Sequence, residues 1–122
     1  MEDIWYHGSP FELETIRKGS TITQDRNLAR VFSHKPTLVS IADDGTIQHN
    51  GTLPGFLYRV TETIGPDDIV PHPRSSMEAR KEWLTCRELR LEQIGPTCII
   101  PQEILTETEI QQLQQIHNHP HG

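Results

Sequence analysis

Ile4-Trp5-Tyr6-His7-Gly8-Ser9-Pro10 is the stretch on which the fold turns. β-branched and aromatic side chains give way abruptly to punctuating residues, a pattern that predicts a short buried strand over residues 4–7, closed by a turn at Gly8-Ser9-Pro10. His7 then sits at a strand-to-loop exit. Beyond it, Phe11, Leu13 and Ile16 are candidate packing residues, and Lys18-Gly19-Ser20 turns the chain into Thr21-Ile22-Thr23. Either threonine can cap a helix, and Gln24, three residues after Thr21, suits a capping box. Leu28, Ala29, Val31 and Phe32 recur at helical spacing until just before Pro36, which predicts one helix of about two to three turns.

Farther along, Thr37-Leu38-Val39-Ser40-Ile41 meets Asp43-Asp44-Gly45, a strong hairpin signal, and Thr46-Ile47-Gln48 returns on the far side. Gly55-Phe56-Leu57-Tyr58-Arg59-Val60-Thr61 reads as the next strand. Residues 67–73 read as a proline-bounded loop, because proline cannot sit in a central ladder. Ser75 or Ser76 is placed to cap a helical turn through Ala79. Glu82-Trp83-Leu84-Thr85-Cys86 and residues 89–94 are expected as strands around a tight bend, with Thr97-Cys98-Ile99-Ile100 as a third. Thr106 with Glu109 forms a capping box, and Ile110, Leu113 and Ile116 mark one apolar face of a final helix.

A chain of 122 residues falls in the range of one domain, expected over residues 1–116, with residues 117–122 as a flexible His-rich tail. Aromatic residues make up only 6%, against 9 prolines and 8 glycines, which predicts a modest core with many turns rather than a helical bundle. The formal charge of −6 repels phosphate backbones, so a broad nonspecific grip on nucleic acid is disfavoured. Cys86 and Cys98 lack the paired spacing of a zinc or redox motif and are expected as buried free thiols. No apolar run approaches the roughly 18 residues of a membrane span, and Met1-Glu2-Asp3 is acidic where a secretory signal is basic. A cytoplasmic protein with no membrane partner is the expectation, secretion as an effector being left open.

Three pieces carry the candidate chemistry: Trp5-Tyr6-His7-Gly8-Ser9, Gly19-Ser20-Thr21-Ile22-Thr23, and Lys81-Glu82-Trp83-Leu84. The first resembles the strand carrying the His-Gly-Ser element of poly(ADP-ribose) polymerases and other His-Tyr-Glu-type ADP-ribosyltransferases. The third, with the bend and strand that follow it to Ile94, is similar to that family's glutamate strand and its paired neighbour. The resemblance implies an α+β fold of two small antiparallel sheets packed as a split sandwich, with a few short helices and a cleft between the sheets. It implies NAD as substrate, no metal, and an ADP-ribosyltransferase or NAD glycohydrolase activity. The acceptor is left open among a protein, a nucleic acid, a small molecule and water, and an antitoxin or inhibitor partner is left open too.

Residue by residue, the resemblance implies that His7 donates to a hydroxyl of the adenine-side ribose. Gly8, with Ser9 beside it, lets the nicotinamide carboxamide approach the backbone. Glu82 accepts from the nicotinamide ribose. A fixed carboxylate suits glycosidic cleavage on independent grounds, because positive charge grows on the sugar as the bond breaks. The family's stacking aromatic falls at Thr21, which cannot stack, and Phe32 resembles the second stacking residue. Arg74 or Arg26 is a candidate for the pyrophosphate. Bland alternatives stand beside each role: a structural His7, an ordinary turn at Gly8, a core Phe32, a solvated Glu82, and Glu88 as rival carboxylate. Competing functions are a non-catalytic NAD or ADP-ribose binding module, an RNA 2′-phosphotransferase-like enzyme, and a plain interaction domain.

Overall fold

Short β-rich runs interrupted by glycine and proline yield short strands, and among the described residues they assemble into three antiparallel sheets. The computed structural model describes residues 4–72 and 82–118, the side chains of 115–118 excepted. The strands are β1 (Tyr6–Ser9), β2 (Thr15–Ile16), β3 (Thr21–Ile22), β4 (Val39–Ile41), β5 (Ile47–His49), β6 (Gly55–Val60), β7 (Ile69–Pro71), β8 (Trp83–Thr85) and β9 (Leu89–Thr97). Helix α1 spans Arg26–Phe32, helix α2 Glu107–Asn118, and a 3₁₀ turn Pro101–Glu103. The largest sheet has the order β1-β6-β9-β2, the second β3-β8-β7, and β4-β5 is a hairpin. The fold is α+β.

The main core lies between the two larger sheets. Trp5, Ile16, Val60 and Leu89 from the first pack with Ile22 from the second, and Ile69, Trp83 and Leu91 close around them. Trp5 meets Trp83 edge to face at 5.9 Å. Burying a side chain such as Ile22, wholly shielded from solvent, contributes about 1.5–3 kcal/mol. A smaller cluster of Leu28, Val31 and Ile47 packs α1 against the β4-β5 hairpin. Between β6 and β9 the register slips next to Leu57 and Tyr58, leaving Ile94 unpaired. Tyr58 is fully buried, and its hydroxyl donates to the Phe11 carbonyl at 2.7 Å while accepting from Leu13 N–H at 2.8 Å.

Several local expectations hold. The β4-β5 hairpin turns at Gly45, whose φ is +90°. The Thr106–Glu109 box is reciprocal, Thr106 N–H donating to Glu109 Oε1 at 3.0 Å and Glu109 N–H to Thr106 Oγ1 at 3.1 Å. Others are corrected. The first strand runs through Gly8 and Ser9 rather than turning there, because both residues pair with β6. Thr21-Ile22 is a strand rather than a cap, because it pairs with β8, and α1 is capped by Asp25, whose Oδ1 accepts from Asn27 and Leu28 N–H. Residues 69–71 form β7, an edge strand, where Pro71 costs no ladder bond with a further neighbour. β9 continues to Thr97, and Cys98 to Ile100 are not strand. Cys86 is half-buried and Cys98 exposed, so neither thiol is fully buried as expected; both are free. Helix α2 reaches Asn118, into the expected tail. The turn proposed at Ser75 or Ser76 lies outside the described residues.

Candidate functional site

The shortest strands position the site. β3 joins the two larger sheets: Tyr6 N–H donates to the Thr23 carbonyl at 2.7 Å and Thr23 N–H to the Tyr6 carbonyl at 3.0 Å, while Thr21 and Ile22 pair with Leu84 and Trp83. His7, next to Tyr6, and Glu82, next to Trp83, are thereby carried to one wall. A cleft of about 330 Å³ opens there, lined by Tyr6, His7, Gly8, Ser20, Thr21, Phe32, Lys35, Pro36 and Glu82. Its volume is in the range of small-molecule sites, and polar side chains such as His7, Thr21, Lys35 and Glu82 share the lining with the apolar Phe32 and Pro36. The candidate residues His7, Gly8, Thr21, Phe32 and Glu82 are brought together; Ser9 is not, being buried with its Oγ accepting from Phe11 N–H at 3.1 Å. Glu82 is half-buried, its carbonyl accepting from His72 N–H at 3.0 Å, whereas the rival Glu88 is exposed and outside the lining.

His7 is held by one bond. Its Nδ1 lies 2.7 Å from the Thr21 carbonyl oxygen, which can only accept, so the proton is on Nδ1. Burial lowers the His7 pKa, the Thr21 bond partly offsets this, and the nearby positive charge of Lys35 lowers it again. At neutral pH the ring is therefore uncharged, and its remaining nitrogen, Nε2, accepts. Nδ1 is committed to Thr21, which leaves His7 an acceptor nitrogen where the resemblance implies a donor. Thr21 contributes through its backbone, orienting His7, where a stacking ring was the pattern.

Gly8 also has a different reason to be glycine. A Cβ built there would lie 1.9 Å from the Ala29 carbonyl oxygen and 2.7 Å from Ser33 N, both in the backbone of α1 and its cap. The close approach that glycine permits is taken by the helix, and the cleft meets Gly8 from elsewhere. Phe32 packs against the α1 cluster and also lines the cleft.

Lys35 is the residue that sequence reasoning missed. It follows α1 with φ +56°, its N–H bonded to the Phe32 carbonyl at 3.1 Å, and this left-handed turn ends the helix ahead of Pro36. The signal was available in the Lys-Pro pair after the helical pattern, but nothing local tells which way the turn leads. Of the expected phosphate-binding arginines, Arg74 lies outside the described residues. Arg26 lines a separate groove of about 600 Å³ with Asn27, Arg30, Ile94, Pro96 and Ile100. That groove is larger, but its lining is mainly apolar and it lacks an imidazole and a carboxylate, both of which line the His7 cleft. Among the described residues no helix is long and apolar enough to cross a membrane. The chain matches no protein-family model, no curated protein and no solved structure.

Proposed function

We propose that the chain binds NAD in the His7–Glu82 cleft and cleaves its nicotinamide–ribose bond, as a small ADP-ribosyltransferase or NAD glycohydrolase of the split-sandwich type. The observation that carries this reading is the shared lining of one cleft by His7 and Glu82, which lie far apart in the chain. In this reading the bond between the ribose carbon and the nicotinamide nitrogen breaks, its electron pair leaves with neutral nicotinamide, and the acceptor's oxygen or nitrogen attacks the sugar and releases its proton to solvent. Glu82 acts by opposing the positive charge that builds on the ribose, a contribution larger in the transition state than in the bound substrate. Neutral His7 takes a hydrogen bond from a ribose hydroxyl, and Phe32 supplies a face for the nicotinamide ring. NAD incubation with measurement of nicotinamide release tests the reading: Glu82→Gln loses about 10²-fold or more of the wild-type rate. His7→Ala is weakened through binding. Wild type that releases nothing refutes the catalytic reading. Thr21, unable to stack, favours a second one, a module that binds NAD or ADP-ribose without turnover, recognised by saturable binding with no nicotinamide formed.

A further inference from the structure

His34 and His49 lie outside the cleft and have no part in the chemistry proposed for it. Both are fully buried, and their rings stack at 5.5 Å between centroids and 16° between planes. Each ring is held through Nδ1 alone. His34 Nδ1–H donates to the Leu53 carbonyl at 2.6 Å, whereas His49 Nδ1 accepts from Gly51 N–H at 3.0 Å. These partners assign opposite tautomers, Nδ1–H for His34 and Nε2–H for His49. Both Nε2 atoms are buried without a hydrogen-bond partner. Among the described residues, two charged groups face the stack. Glu103, from the 3₁₀ turn, approaches His49 Nε2 at 3.8 Å, and Arg30, from α1, already holds both Glu103 oxygens at 2.9 and 2.6 Å. Among the described residues no set of three ligand-type side chains converges there, so the pair is not placed as a metal site.

We propose that the His34–His49 stack is an acid-sensitive lock on the cleft wall: a proton added to His49 breaks its bond from Gly51, unclasps residues 49–53 from His34 and loosens the turn carrying Phe32 and Lys35. The stereochemistry leaves the proton no neutral place to go. On His49 the remaining lone pair is that of Nδ1, which already accepts from Gly51 N–H, so protonation breaks that bond. Burial and the facing His34 hold the His49 pKa below its usual value; Glu103 partly offsets them, and Arg30 adds to the lowering.

The effect reaches the cleft through a single residue. Thr52 and Leu53 N–H groups donate to the His34 carbonyl at 3.1 and 3.3 Å, and a Cβ on Gly51 would lie 2.6 Å from the His34 Cβ. Residues 49–53 are thus wrapped on His34, which stands between Phe32 and Lys35, both in the cleft lining. A histidine buried neutral contributes stability that is complete above its unfolded pKa and declines as pH falls below it. The lock is closed at neutral pH and opens in acid, whatever the cleft binds.

Hydrogen exchange followed by NMR on the whole chain tests this. From about pH 7.5 to about pH 5, protection factors of Gly51, Thr52, Leu53 and Lys35 fall by about tenfold or more, while those within β6 change less. The double variant His34→Asn/His49→Asn keeps an amide donor and an amide oxygen in place of the two Nδ1 atoms without a titrating ring. Its protection factors at the same residues change by less than about twofold. Wild-type protection that ignores pH overturns the proposal even if the double variant does not fold. Loss at residues 51–53 without loss at Lys35 overturns the link to the cleft, as does a Lys35 response that survives in the double variant, where His7 still titrates. A chain that shows the transition yet releases no nicotinamide keeps the lock and loses the proposed function.

Discussion

Gly8→Ala separates two reasons for a glycine in the cleft wall. If Gly8 serves only the approach of a ligand, the variant folds normally and loses binding. The packing of α1 predicts something else. The added Cβ would sit 1.9 Å from the Ala29 carbonyl oxygen, more than about 1 Å inside a close C···O contact of about 3.3 Å. The obstacle is helix backbone, which cannot rotate aside, and the neighbouring Leu28, Ala29 and Val31 are all fully buried. Overpacking costs about 1–3 kcal/mol, and displacing the helix end strains the Ser33 N–H bond to Ala29, worth about 1 kcal/mol. The expected loss is about 3 kcal/mol, or roughly 10 °C in Tm for a domain of this size. Urea denaturation reports it through the fluorescence of Trp5 and Trp83, which meet in the core. Gly95→Ala, in β9 with nothing within 4 Å of its built Cβ, is the control and stays within about 0.5 kcal/mol. A Gly8→Ala loss below about 1 kcal/mol refutes the packing explanation.

Tyr58→Phe strips partners from the Phe11 carbonyl and the Leu13 N–H together and is expected to cost about 2 kcal/mol in denaturant midpoint analysis; a variant as stable as wild type means water replaces the hydroxyl. Lys35→Gln removes a positive charge that lowers the His7 pKa, so the His7 ring titrates at higher pH in the variant, as NMR of the ring protons records. The sign has a consequence for acid tolerance. Because the folded pKa of His7 is depressed, its stabilising neutral form is complete above the unfolded value and lost as pH falls below it, and the variant loses acceptor function at Nε2 earlier on acidification. An unmoved His7 titration would show that the two residues are not electrostatically linked.

Elements whose signals are local were legible in the chain. Asp43-Asp44-Gly45 specifies a turn by its own backbone chemistry, and Thr106 with Glu109 satisfies helix N–H groups within one turn, so each acts before any tertiary contact exists. The α1 pattern of Leu28, Ala29 and Val31 was readable for the same reason. The cap was misplaced because two signals competed within a few residues. Thr21 and Gln24 fit a capping box, but Thr21 is claimed by Leu84 across the sheet, and Asp25 caps the helix instead. A two-residue strand such as β3 has no periodicity to detect, since its identity lies in a partner remote in sequence.

The sequence by itself determined that the chain is α+β and where its hairpin and helices form. Only the tertiary structure decided that His7 and Glu82 line one cleft with Lys35, and that Ser9 and Arg26 do not join them. It also decided that Gly8 is small for a helix and that His7 donates through Nδ1 to the Thr21 carbonyl, which leaves Nε2 as its acceptor atom. The physical reason is the range of the forces involved: turn and cap preferences are settled among adjacent residues. Cleft lining, tautomer and desolvation depend on which distant backbone groups the strand pairing brings alongside.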